Sequence, residues 1–171
     1  MLQDSMKKAL ANTFALYLKA HGYHWNVKGI LFPQLHEFFG DLYEEWHGQV
    51  DSVAEQIRAL NMDAPAGLDV FSSLRTIPDG TASSYQEMLM DLYQGNAELI
   101  LTLTEAFADA EAAREIGLSN FLQDLVDKHK KNAWMLRATI MGAGVSESTQ
   151  KQMNAIHEKY NFGSWTKARR K

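Results

Sequence analysis

Four residues in the first third of the chain carry side chains that bind transition metals: His24, His36, Asp51 and Glu55. Two imidazoles and two carboxylates suit iron or another divalent ion of intermediate hardness. Asp51 and Glu55 are spaced i, i+4, so they share one face of a helix. His24 and His36 flank a short break containing Gly29 and Pro33, so an antiparallel pair of helices sets them at about the same level. A single helix cannot unite all four. His36 and Asp51 stand roughly 22 Å apart along a helix rising about 1.5 Å per residue, whereas metal–ligand bonds are roughly 2 Å long. A second copy of the helix solves the problem. Laid antiparallel about a two-fold axis near Tyr43 and Glu44, it brings His36 of one chain beside Asp51 of the other, and symmetry builds the site twice. The two positions differ by only about 60° around the helix, so both can face one partner.

The elements that must position these residues are legible as periodic apolar stripes. The first helix is expected over residues 4–27, with Met6, Leu10, Phe14, Tyr17, His21 and His24 along its stripe. The second is expected over 33–61, opened by Pro33 at a first helical position, with the stripe Leu35, Phe39, Leu42, Trp46, Val50, Val53, Ile57 and Leu60. A long connection, 62–83, holds Pro65, Gly67, Pro78 and Gly80, with a short helix expected over 68–75. Ser84 and Glu87 form a capping box that starts the third long helix. Its stripe is Tyr85, Leu89, Leu92, Asn96, Leu99, Leu103 and Phe107. Gly117 marks the next break, and Ser119 is the expected N-cap of a fourth helix running to Met141, with Leu122, Leu125, His129, Ala133, Leu136 and Ile140 on one face. Gly142 and Gly144 end it, and a short fifth helix is expected over 148–160 before a basic tail. The short breaks imply two antiparallel hairpins, and the long connection is able to cross the whole bundle. The expected organisation is one domain, 1–171, with the bundle over about 4–141 and the short helix and tail over 146–171.

Composition narrows the function classes. The chain has no cysteine, which excludes disulfides, thiolate zinc sites and iron–sulfur clusters. That fits a reducing cytosol, and the cytoplasm is the expected location. No apolar stretch approaches the roughly 18–20 residues of a spanning helix, and the N-terminus lacks the apolar middle of a signal peptide. A net charge of −4 argues against tight non-specific DNA binding over the whole surface.

The segment LANTFALYLKAHGYHWNVKG, then FPQLHEFF and DSVAEQIRAL, resembles the Dps family of mini-ferritins, and HKKNAWMLRA on the fourth helix extends the likeness over most of the chain. The family motif, a His-Trp, a His twelve residues on and then Asp-x-x-x-Glu, falls on His24–Trp25, His36, Asp51 and Glu55. The resemblance implies an all-α, ferritin-like four-helix bundle whose long crossover carries a short helix between helices two and three. It implies a twelve-subunit shell with ferroxidase activity, in which iron(II) is oxidised at sites shared by two-fold-related subunits. Hydrogen peroxide is the usual oxidant, and the product is stored as ferric mineral. Zinc is a candidate competitor for the site. Some relatives carry an acidic residue four positions after the second His; this chain has Gly40, which puts a second iron position in doubt. It also lacks a lysine-rich N-terminal arm. Its basic cluster is C-terminal, at Lys167, Arg169, Arg170 and Lys171, and keeps open an alternative role as a structural, DNA-compacting protein.

Several nearby residues admit plainer readings. His21 is one turn before His24 and is expected to face the bundle. Glu44-x-x-His47 is the spacing of an intra-bundle di-iron motif, but the matching position before His129 is Val126, so His47 is expected to pack near the two-fold interface. Trp25 and Trp46 are core or interface candidates, with Trp46 and Leu42 expected to supply interface burial. Trp25, beside a ligand, is also placed to quench oxidising equivalents. Asp124, Asp127 and Glu115 read either as a solvated acidic face or as the lining of an iron-entry pore.

Overall fold

The computed structural model describes residues 1–142 and 146–160, and the described residues contain helices and no strands. The order is α1 (Leu2–Asn26), α2 (Phe32–Ala59), α3 (Leu68–Leu74), α4 (Tyr85–Ala112), α5 (Ile116–Gly142) and α6 (Glu147–Lys159). Helices α1, α2, α4 and α5 form the bundle. α1 packs along both α2 and α4, and α4 packs along α5. The short α3 rides on α1, where Phe71 lies 4.7 Å from Phe14 between ring centroids. The four-helix fold is the one expected, with helix boundaries shifted by one or two residues at most ends.

The helix ends show why the chain stops where it does. Ser84 caps α4 with the full reciprocal box: its hydroxyl accepts from Glu87 N, and the Glu87 carboxylate accepts from Ser84 N. That pairing also holds the Glu87 carboxyl below its usual range. Just past the C-cap of α2, Asn61 turns the chain left-handed with φ 58°, and Met62 N closes back on Ile57 O. The chain leaves α4 the same way at Arg114, φ 60°, one residue past the C-cap Ala113, with Glu115 N on Ala110 O. This corrects the expected break at Gly117 and Ser119. The fourth long helix begins at Ile116, both residues lie inside it, and the Ser119 hydroxyl donates to Glu115 O as a mid-helix serine does. An arginine in the left-handed region leaves no mark in a sequence pattern, whereas glycine does.

The core is the expected apolar stripe of α2 except at Val50 and at Leu60, which is half-buried at the C-cap. Leu35, Phe39, Leu42, Trp46, Val53 and Ile57 are buried, each contributing about 1.5–3 kcal/mol. Gln49, not Val50, takes the intervening buried position. On α1 the buried line is Met6, Leu10, Thr13, Leu16, Ala20 and Tyr23. The expected positions Phe14, Tyr17, His21 and His24 form a second, half-buried line beside it. Two registers of step three and four coexist on one helix, and only packing separates them.

The crossover is pinned by buried polar groups. Asn12 on α1 donates to Thr76 Oγ1 and Thr102 Oγ1, both at 2.9 Å, and accepts from the backbone N–H groups of Thr76 and Ile77. Lys19, its side chain 1 % exposed, reaches Asp91 at 2.8 Å, and Tyr23 Oη donates to the other oxygen of the same carboxylate. Burial, then this bond to Asp91, pushes the Tyr23 phenol well above its ordinary value. Gly80 passes so close that a Cβ there would stand 2.7 Å from Tyr23 Oη. At the other side, Ser146 caps α6, Met153 anchors it, and Tyr160 donates to Glu98 on α4 at 2.8 Å. Residues Lys167, Arg169, Arg170 and Lys171, and Gly144, lie outside the described residues.

Candidate metal centre

His24 leaves the last turn of α1 and His36 the start of the second turn of α2, across the break expected to set them level. The connection is tight: Val27 N closes on Tyr23 O, Gly29 takes φ +105°, and Phe32 N returns to Gly29 O. The two imidazoles stack, with centroids 3.7 Å apart and planes 20° from parallel. Their backbones hold them reciprocally. His24 Nδ1 donates to His36 O at 2.7 Å, and His36 Nδ1 donates to His24 O at 2.8 Å. With each Nδ1 proton given to a carbonyl, each Nε2 keeps its lone pair. A carbonyl bond to the remote nitrogen is the arrangement that orients a metal-binding histidine and fixes its tautomer. Gly40 forms one wall: a Cβ at that position would stand 3.4 Å from His24 Cε1 and Nδ1. Phe32 covers His36 from the other side, centroid to centroid 5.0 Å.

Asp51 and Glu55 lie on α2 as an exposed pair on one face. The chain by itself brings His24 and His36 together and does not bring the carboxylates to them. Among the described residues no group of three or more His, Asp or Glu side chains is gathered closely enough for one ion. That separation is the one expected from the length of α2.

The neighbouring aromatic residues differ from expectation in two places. His21 does not face the bundle interior. It is half-buried on the α1–α2 face, stacked on Tyr43 at 4.0 Å and 15° and 4.2 Å from Trp25. Desolvation there, followed by the charges of His24 and His47, lowers its pKa. Trp46 and Leu42 are not available to an interface, since they are 0 % and 1 % exposed in the isolated chain. Trp25 is 61 % exposed and His47 is exposed, its ring 4.9 Å from Tyr17. Asp124, Asp127 and Glu115 are exposed on the chain.

A second polar centre sits inside the bundle. His129 on α5 is fully buried. Its Nδ1 lies 2.6 Å from Asn96 Oδ1 and its Nε2 lies 2.7 Å from Gln49 Oε1, so the single N–H of a neutral ring donates to one of these two oxygens, and Asn96 Nδ2 donates to His129 O at 2.8 Å. Trp46 lies over the ring, 5.9 Å between centroids. Glu45 extends the network, accepting from Gln49 and from Asn132 at 3.2 Å each. Burial pushes the imidazole down to about 3, with Lys128 adding in the same direction, so the ring is neutral. α2 and α5 thus meet through these long side chains. Trp46 Nε1 is a buried donor without a partner among the described residues. The sequence signal for this centre was a polar residue inside an apolar stripe, Asn96 on one helix and His129 on the other. Gln49 was missed because Val50 beside it fits the stripe as well.

Two surface concavities do not coincide with either centre. One, of about 650 Å³, lies between α4, α6 and the end of the crossover; another, of about 430 Å³, lies between α1 and the crossover. Neither is lined by His24, His36, Asp51 or Glu55. Donor geometry outweighs cavity volume here, because metal ions need converging lone pairs and little space.

Comparison with known proteins places this geometry in a family. The model of the ferritin-like domain family matches residues 3–142. A DNA protection during starvation protein of Brevibacillus brevis is 31 % identical over 134 residues, covering 78 % of this chain and 90 % of that protein. Among solved structures, Dps from Vibrio cholerae, described as a member of a broad superfamily of ferritin-like diiron-carboxylate proteins, superposes with a TM-score of 0.79 at 26 % identity. It covers 81 % of this chain and 88 % of that one. Dps from Bacillus brevis superposes with a TM-score of 0.78 at 29 % identity, covering 81 % and 94 %. The chain belongs to the ferritin-like family, in its Dps branch.

Proposed function

We propose that this chain binds iron(II), oxidises it at sites shared by two copies, and stores the ferric product inside a shell of twelve copies. His24 and His36 of one subunit and Asp51 and Glu55 of the other are the ligands. The carboxylates offset the metal charge and favour iron(III), while the imidazoles set the geometry. Two iron(II) ions each give up one electron and hydrogen peroxide takes both, so little hydroxyl radical escapes. Zinc competes for the same donors.

The observation that carries the reading is the reciprocal Nδ1-to-carbonyl pairing of His24 and His36. It leaves two Nε2 lone pairs at one place on a half-exposed face, with no intrachain carboxylate completing the set. Family membership adds support for iron chemistry. The alternative, a DNA-compacting protein, rests on basic residues outside the described region. Among the described residues no helix is long and apolar enough to cross a membrane.

The test is anaerobic iron(II) loading followed by hydrogen peroxide, read by ferric absorbance and by particle size, with His36→Ala in parallel. Rapid oxidation into a soluble iron-filled particle, slowed sharply in the variant, is the expected result. Equal rates in the two proteins, or precipitating ferric hydroxide from both, would remove the ferroxidase reading.

A further inference from the structure

The antiparallel pairing of two α2 helices has a consequence at Gly40. With the axis between Tyr43 and Glu44, Gly40 of one chain stands opposite residue 47 of the other, just as His36 stands opposite Asp51. Positions 40 and 47 are seven residues apart, within about 20° of the same direction around the helix. Residue 47 is a histidine, and it shares the face of Asp51 and Glu55 at successive steps of four.

We infer that His47 of the partner subunit enters the site over Gly40 and supplies an imidazole to a second metal position. This rests on the shared-site reading above. Three observations support it. Gly40 has no side chain and leaves the His24 ring open to an approaching group, its absent Cβ being 3.4 Å from that ring. His47 is exposed in the single chain and makes no hydrogen bond among the described contacts, so both ring nitrogens are uncommitted. Its ring is nevertheless held, 4.9 Å from Tyr17, so it has a fixed starting position. The register puts it one helical turn, roughly 6 Å, from the His36–Asp51 contact. That offset suits a second ion beside the first, since paired metals in such sites sit about 3.5–4 Å apart. The site then has three imidazoles and two carboxylates. A nitrogen donor from across the interface takes the place that an acidic side chain at position 40 would fill from within the chain. A softer, more nitrogen-rich second position also favours zinc relative to a carboxylate-only one.

The experiment is a zinc(II) titration of the assembled protein by calorimetry, without iron or oxidant, on wild type, His47→Gln, His36→Ala and the pair Gly40→Asp with His47→Gln. Wild type should take up two equivalents per chain. His47→Gln should keep the first unchanged and bind the second at least about tenfold more weakly. Gly40→Asp on that background should restore the second. Two equivalents of unchanged affinity in His47→Gln, or a single equivalent in wild type, would overturn the assignment. His36→Ala separates this from the reading beneath it. If His36→Ala binds zinc as wild type does, the shared site itself fails; if it loses the first equivalent while His47→Gln loses nothing, only the role of His47 fails.

Discussion

His129 and the pair His24–His36 occupy the same bundle under opposite conditions. His129 is buried with each ring nitrogen against a side-chain amide, from Asn96 and Gln49. His24 and His36 are half-exposed, and each spends one nitrogen on the other's backbone carbonyl. A histidine becomes a binding group through the nitrogen left over, and burial with both ring nitrogens enclosed removes it from chemistry. The first centre ties α5 to α2 and α4. The second joins α1 to α2 and leaves each Nε2 without a hydrogen bond to the chain, which under the proposed function is where another copy completes the site.

The contrast is broken most severely at the open pair. His36→Ala should lower the rate of peroxide-driven iron oxidation by at least about 100-fold, the upper end for disturbing a metal site, in stopped-flow ferric absorbance. Thermal stability should stay within about 0.5–1 kcal/mol of wild type, because the side chain is half-exposed. The closed histidine should behave in reverse. His129→Ala leaves a cavity and strands Asn96 and Gln49, so unfolding should be easier by about 3 kcal/mol, read in denaturant melts. The oxidation rate per folded chain should be retained.

Acid sharpens the comparison further. His129 is neutral in the fold, with its value lowered from 6.5 to about 3. Unfolding below pH 6.5 therefore takes up a proton that the folded chain refuses. The stability associated with this ring is fully present above pH 6.5 and is lost as pH falls toward 3. Near pH 5 the loss should reach about 2 kcal/mol, and His129→Leu should lose less over the same interval. The smallest effect belongs to Gly40→Ala. Its Cβ would meet the His24 ring at 3.4 Å, an ordinary contact, so oxidation should change by less than about threefold. A larger fall would mean that the added methyl displaces the His24–His36 stack or obstructs the approach proposed for the partner's His47.

Much of the fold was written in the stripes. The run from Leu35 to Ile57 and the capping box at Ser84 and Glu87 state their helices outright, because apolar spacing and cap chemistry are local. The end of α4 was not legible, because Arg114 adopts a left-handed turn that its residue type does not announce. The buried line of α1 was misassigned for a different reason. Phe14, Tyr17 and His21 keep the same steps of three and four as Thr13, Leu16 and Ala20, and only contact with α2 and α4 decides between them. At the site, the level placement of His24 and His36 followed from a short break between two helices. Their stacking and reciprocal carbonyl bonds did not, because these depend on ring orientation and on the bare backbone at Gly40. Of the two places open to Trp46 from its sequence, core or interface, the structure selects the core, because His129 lies over the ring, a contact between segments 80 residues or more apart.

The central claim is that each site takes its histidines from one copy and its carboxylates from another. Co-assembly of His36→Ala chains with Glu55→Ala chains tests it directly. Each homogeneous variant has every site damaged. In random one-to-one pairs, half the pairs are mixed, and each mixed pair holds one intact site beside one doubly damaged site. The account predicts that oxidation returns to about a quarter of the wild-type rate per chain. A co-assembled sample no faster than the two variants measured separately would contradict it and place all four residues' work within one chain.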